Sequence, residues 1–280
     1  MNKILLIDAN YLGHRARYTT GPLSYKGRPT GVIFGFLNQL FTLAKKTVPD
    51  EVVFVWDSRR SLRKEAYSFY KNKSKTHNDE GPDRELLDAF KQFQELKRDI
   101  LPQLGFANNF VQSGYEADDI IASIVQQDKG NFTVATSDND LLQLLDHCQI
   151  YNLGKDKYIT RQNFVEDYGI RPIQWAEVKK IAGCSSDNVP GVQGVGEKTA
   201  IKYLREGLST KTKTYTTIRS SSDIIERNEW LVKLPLPGVE IPTIDTSDFD
   251  VLEMQKLCNS MGFSRMKNQL DDWRLLFRKE

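Results

Sequence analysis

A mixed α/β fold on a central parallel sheet is predicted by three short apolar runs, by the aspartates that close them, and by a helix-period segment between the first two. Lys3-Ile4-Leu5-Leu6-Ile7, Val52-Val53-Phe54-Val55-Trp56 and Phe132-Thr133-Val134-Ala135-Thr136 are near-continuous rather than alternating, as in strands buried on both faces. Asp8 closes the first, Asp57 the second, and Asp138 with Asp140 follows the third. Between them, Ile33, Phe36, Leu37, Leu40, Phe41 and Ala44 recur at helical spacing from Gly31 to Lys45. Strand, helix, strand in this order indicates a parallel sheet flanked by helices, whose ligands bind beyond the carboxyl ends of the strands.

A single aspartate after a strand is explained by the N-cap that the next helix needs. Three of them arriving beside Gly114-Tyr115-Glu116-Ala117-Asp118-Asp119-Ile120 are not. Glu116 and Asp119 share a face if this segment opens a helix, and acidic residues suit a helix N-terminus. Carboxylates crowded against a buried sheet nevertheless repel and require counter-charge. The cluster predicts a hard-cation site with oxygen ligands, suited to magnesium or manganese. His14, His77 and His147 are scattered and form no ligand spacing.

From Ser58 to His77 the charge changes character. Arg59, Arg60, Arg63, Lys64, Lys71, Lys73 and Lys75 face only Glu65, with Tyr67, Phe69 and Tyr70 interleaved. Such a run is either a solvated face or a strand-binding segment in which cations follow phosphate and rings stack on bases. Its start directly after Asp57 favours the second. Asn78 to Asp83 is a polar turn or hinge, and Arg84 to Leu101 has the pattern of an amphipathic helix.

Gly183 to Ala200 is the second landmark. From Gly191 it nearly spells a phosphate-binding P-loop, but Glu197 stands where the lysine must be and the preceding Trp175–Ala182 stretch is helical. Helix, glycine-rich turn, helix remains: a plain connector, or backbone N–H groups offered to a phosphate with Lys198 beside them. Lys211 to Ser222 is expected to be a loosely packed connection, Pro235, Pro237 and Pro242 an extended path, and Leu252–Phe263 and Leu270–Phe277 short closing helices.

Net charge is only +2 over 280 residues, so composition alone predicts no nucleic-acid partner. Cys148, Cys184 and Cys258 are an odd count without C-x-x-C spacing, which argues against a disulfide framework or a zinc site. The Ile4–Ile7 run is too short for a signal peptide and no apolar stretch reaches membrane-spanning length, so a cytoplasmic protein is expected.

The chain resembles the 5′-nuclease (flap endonuclease) family, in particular bacterial and bacteriophage 5′→3′ exonucleases and the 5′-nuclease domain of bacterial DNA polymerase I. The residues that carry the likeness are Leu6-Ile7-Asp8-Ala9-Asn10, Phe54-Val55-Trp56-Asp57, Tyr70-Lys71, Tyr115-Glu116-Ala117-Asp118-Asp119, Thr136-Ser137-Asp138-Asn139-Asp140, and Ser185 to Ala200. The resemblance implies a PIN-like (Rossmann-like) core over residues 1–170 with a helical arch inserted at about 58–83. Residues 171–280 would form a helix–three-turn–helix DNA-binding region and closing helices packed on that core. One metal subsite would take Asp8, Asp57, Glu116 and Asp118, and a second Asp119, Asp138, Asp140 and Asp187. Asp118 and Asp119, with Lys71 at the scissile phosphate, would be catalytic. Tyr70 would stack a base. Arg15, Arg59, Arg60, Arg63, Lys73 and Lys75 would contact DNA, as would the turn residues Gly191, Gly194, Gly196, Lys198 and Thr199.

The implied cofactor is Mg2+, with Mn2+ as a substitute and K+ at the turn. The implied partner is branched or 5′-ended duplex DNA, with RNA–DNA hybrids included, bound by a monomer with no membrane association. The expected activity is a stand-alone, structure-selective 5′-nuclease of replication or repair using two metal ions. The alternatives are a catalytically weakened branched-DNA-binding protein of the same fold and a PIN-like ribonuclease. One departure stands out: Cys184 occupies a position where the family has an aspartate, and a thiol is a poor partner for magnesium. An active nuclease that demands more metal or favours manganese is the expectation.

Overall fold

The computed structural model describes residues 2–72, 84–127 and 130–277. Its centre is a six-stranded sheet of β1 (Lys3–Asp8), β2 (Glu51–Val55), β3 (Asn108–Phe110), β4 (Asn131–Thr136), β5 (Gln149–Asn152) and β6 (Lys157–Ile159). The spatial order is β3-β2-β1-β4-β5-β6. All neighbours are parallel except β6, which closes the edge antiparallel to β5.

The alternation of the sheet residues creates two cores. Leu5, Ile7, Phe54 and Trp56 face one side, where the helices Ala9–Thr20 and Gly31–Thr47 pack, together with Met254 and Trp273 of the C-terminal helices. Ile4, Leu6, Val53, Val55 and Val134 face the other, covered by Ile120, Ile121 and Ile124 of the Ala117–Gln127 helix and by Trp175 and Val178 of the Trp175–Ala182 helix. Sheet faces that are both apolar explain why the strands read as continuous runs.

The expected amphipathic helix from Arg84 is α-helical to Glu95, widens into a π-turn over Leu96–Ile100, and closes over Leu101–Gln103. Among the described residues, no helix is long and apolar enough to cross a membrane.

The chain order sets the position of any ligand. From β1 the sheet grows outward through β2 and β3, and the chain then returns to the opposite edge of β1 with β4. This reversal opens a crevice at the carboxyl ends of β1 and β4, the switch point of an open α/β sheet. Asp8 is the last residue of β1, Asp57 follows β2 by two residues, and Asp138 follows β4 by two.

Candidate metal centre

Asp8 caps the Ala9–Thr20 helix, accepting the Tyr11 backbone N–H at 2.9 Å. Asp57 is held from both sides: its N–H donates to Asn10 Oδ1 at 3.1 Å, and its Oδ1 accepts the Ala117 N–H at 2.8 Å. It therefore stabilises the N-terminus of the Ala117–Gln127 helix, which carries Asp118 in its first turn. The segment after Asp57 runs beside Gly114 and Tyr115 through backbone bonds from Ser58 N and Leu62 N, and this seats Glu116 next to the strand ends. On the far side Asp138 N donates to Thr136 Oγ1 at 3.0 Å, and Asp138 Oδ1 accepts Asp140 N at 2.8 Å.

Asp8, Asp57, Glu116, Asp118, Asp138, Asp140 and Asp187 form one electrostatically linked group. Burial, with Asp57 and Asp138 adding repulsion, pushes Asp8 up to about 7. Burial, then Asp138 and Asp8, holds Asp118 well above the usual carboxylate range. Burial also lifts Asp57 and Asp140. Asp187 is pushed up to about 6 chiefly by burial, with Lys71 opposing.

Two ammonium groups offset this charge. Lys71 Nζ lies 2.9 Å from Glu116 Oε2 and 3.9 Å from Asp187 Oδ2, and Lys179 Nζ lies 3.2 Å from Asp140 Oδ1. Burial opposes the charge on Lys71, but Glu116, Tyr70 and Asp187 outweigh it and keep the group protonated. Carboxylates in this excess along one crevice, Asp8 buried and the others half-buried or open to solvent, suit hard divalent cations, so the donor set fits the expected metal.

A proton-linked test follows from these shifts. Asp8 and Asp187, at about 7 and about 6 in the folded protein against 3.8 ordinarily, bind protons more tightly folded than unfolded. Stability of the metal-free protein should therefore fall as pH rises through that window, because the unfolded state then holds fewer protons. A divalent ion replaces those protons, so its affinity should rise over the same window. Calorimetric titration with magnesium and manganese from about pH 5 to about pH 8 checks this; an affinity indifferent to pH would contradict it.

Three expected site residues are corrected. Asp119 is 0% exposed, and its oxygens accept Arg63 Nη1 at 2.5 Å, Arg63 Nη2 at 2.8 Å, Leu236 N at 2.8 Å and Glu116 N at 3.2 Å. With both oxygens engaged it is placed as the buried counter-ion of Arg63, beneath the crevice rather than in it. Arg63, 2% exposed, is its counter-charge and donates its Nε–H to Leu231 O at 3.1 Å, so it does not face DNA. Tyr70, 2% exposed, packs with Val189, Leu231 and Val232 and donates its hydroxyl to Glu116 at 3.0 Å, so its ring is no stacking platform.

Arg59 and Arg60 are exposed, Arg60 in a bidentate pair with Glu65 at 2.7 Å. Arg15 is exposed and donates to Gln39 at 3.3 Å. Lys73 and Lys75, with the remainder of the expected arch to residue 83, lie outside the described residues.

The glycine-rich turn starts from the end of the Trp175–Ala182 helix. Gly183–Cys184 and Val189–Pro190 pair antiparallel, and the chain then enters the Glu197–Leu204 helix. Gly191 is required by packing, since a Cβ there would lie 2.2 Å from the Ala182 carbonyl. Gly194 sits at φ +74, in open space. Lys198 is exposed and Thr199 half-buried in the first turn of that helix, where the Thr199 N–H already donates to Gly196 O at 3.0 Å, while the N–H groups of Glu197 and Lys198 precede the first intrahelical bond.

Lys179, 6% exposed, was not singled out from the sequence. Its signal was there: it lies four residues after Trp175 on an otherwise apolar stripe. Its second contact, Glu197 Oε1 at 2.9 Å, ties Asp140 to the start of the helix after the turn.

Residues 3–169 match the family model described as the 5′-3′ exonuclease, N-terminal resolvase-like domain. The chain is 35% identical to a 5′-3′ exonuclease of Bacillus subtilis over 218 residues, covering 73% of this chain and 70% of the relative. It is 36% identical over 210 residues to the thermostable DNA polymerase I of Thermus aquaticus, covering 73% of this chain but only 24% of that one. Among solved structures, the bacteriophage T5 D15 flap endonuclease in complex with DNA and metal ions superposes with a TM-score of 0.66 at 20% identity, over 96% of this chain and 98% of that one. At that identity the likeness is one of fold.

Proposed function

The chain belongs to the 5′-3′ exonuclease family, and on that premise we propose that it is a divalent-metal-dependent, structure-selective 5′-nuclease. It hydrolyses phosphodiester bonds at 5′ flaps and 5′ ends of branched or nicked duplex DNA, RNA-primed ends included, in replication or repair. The observation that supports this reading most directly is the convergence of seven carboxylates from separate chain segments on the carboxyl edge of β1, β2 and β4.

Asp8, Asp57, Glu116 and Asp118 would hold one ion, with Mg2+ as the natural occupant and Mn2+ able to replace it, and Asp138, Asp140 and Asp187 would hold a second. Bound there, the ions supply an activated nucleophile and neutralise the phosphate and the departing oxygen. Lys71, whose ammonium already reaches Glu116 and Asp187, offers positive charge where negative charge develops on the phosphoryl group. Arg59 and Arg60 take the incoming strand, and Arg15 a neighbouring phosphate.

Residues 171–280 act as the duplex-holding region. The N–H groups of Glu197 and Lys198, beside Gly196 and the Thr199 hydroxyl, would receive phosphate oxygens, and carbonyls of the turn would hold K+. Contacts of this kind position a duplex without reading its sequence, which suits an enzyme that selects by structure.

Cleavage of a 5′-end-labelled flap duplex, with and without magnesium or manganese, tests the proposal. Metal-dependent release of the flap is expected. Tight flap binding without release in either metal would instead identify a branched-DNA-binding protein.

A further inference from the structure

Asp140, Cys184 and Asp187 place one potential ligand atom each within 4.8 Å of the others. They come from two parts of the fold. Asp140 begins the turn after β4, while Cys184 and Asp187 lie in a tight loop closed by the Asp187 N–H on Cys184 O at 3.3 Å and by the pairing of Cys184 with Val189. The Cys184 thiol is buried, donates towards Asp140 Oδ2 at 3.7 Å and lies 3.0 Å from Ser186 Oγ. Lys179 takes the other oxygen of Asp140, Oδ1, and is itself held by Glu197, which leaves Oδ2 turned to the sulfur. The donors are thus one sulfur and two carboxylates, beside a first set composed of oxygen alone.

We propose that Cys184 is itself a metal ligand, and that the subsite it forms with Asp140 and Asp187 selects a borderline divalent ion, zinc or cobalt, over magnesium. This rests on the metal centre proposed above and goes beyond it by making the two subsites chemically unlike. On binding, the S–H bond would break, its electron pair would form the sulfur–metal bond, and the proton would leave to solvent, with Asp140 Oδ2 left to ligate the ion. No electron is transferred and no further reagent is required. Magnesium, a hard cation, gains little from sulfur and would be held here by carboxylates alone.

Cobalt titration of the full chain, followed by absorption, tests the assignment. A thiolate-to-cobalt charge-transfer band saturating at one ion per chain is expected, absent from Cys184→Ser and from Cys184→Asp. By competition calorimetry, the preference for zinc over magnesium should fall roughly tenfold or more in Cys184→Asp. A band that persists in Cys184→Ser would assign the sulfur to Cys148 or Cys258 and overturn the proposal. Cobalt binding without the band, beside intact magnesium-dependent flap cleavage, would overturn it while leaving the nuclease reading in place. Absence of both the band and any metal-dependent cleavage would remove the two together.

Discussion

Asp118→Asn is expected to lower metal-dependent flap cleavage about 10³-fold or more while the metal-free protein becomes no less stable. Asp118 stands in the first turn of the Ala117–Gln127 helix, and no hydrogen bond engages its carboxylate among the described residues. Burial and then the negative charges of Asp138 and Asp8 act against its ionised form. A carboxylate kept in such a place weakens the fold and is retained for something that binds it, the usual signature of a functional group. Asparagine keeps the shape and removes the repulsion, so thermal denaturation in chelator should show an unchanged or raised midpoint. Single-turnover cleavage at saturating magnesium should show the loss, with flap affinity in chelator unchanged. Parallel losses of stability and activity would make Asp118 a structural residue and return the assignment to its neighbours.

What the sequence disclosed and what it hid divide along a physical line. The strand ends were legible because a parallel strand buried on both faces has a local signature, an apolar run, and its terminating aspartate is adjacent in sequence. Asp8, Asp57 and Asp138 thus pointed to one sheet edge before any contact was known. The fates of Arg63, Tyr70 and Asp119 were not legible, because they depend on a segment far along the chain. Leu231 O and Leu236 N reach residues 63 and 119 across more than a hundred positions. An arginine flanked by charged residues looks the same whether it meets solvent or a buried anion. Asp119 likewise sits beside a ligand candidate at Asp118, and only the helix's rotation separates them: one side chain opens to the crevice and the next is sealed beneath it. Lys179 escaped notice for the opposite reason, since a lysine on a helix is ordinarily a solvated residue.

The separation of buried Arg63 from the exposed cations proposed to meet DNA yields the second large effect. Arg63→Met should destabilise the protein by about 3–5 kcal/mol, because it leaves Asp119 as an unpaired buried anion. The guanidinium makes a bidentate contact with Asp119 and also satisfies Leu231 O, so its loss uncouples the Leu62–Ala66 helix, the start of the Ala117–Gln127 helix and the Leu231–Leu236 segment at once. Adding Asp119→Asn to this variant should restore part of the loss, since the amide oxygen can still accept the Leu236 N–H while the buried charge is gone. Arg60→Met, whose pair with Glu65 is solvent-exposed, should leave the urea midpoint unchanged. Flap binding separates the two arginines in the other direction. If Arg60 meets phosphate, its removal lowers the salt dependence of binding by about one ion, whereas the folded fraction of Arg63→Met should keep the original slope. A normal urea midpoint with a reduced salt slope in Arg63→Met would place that side chain on the DNA after all, and Asp119 would again be free to serve the metal.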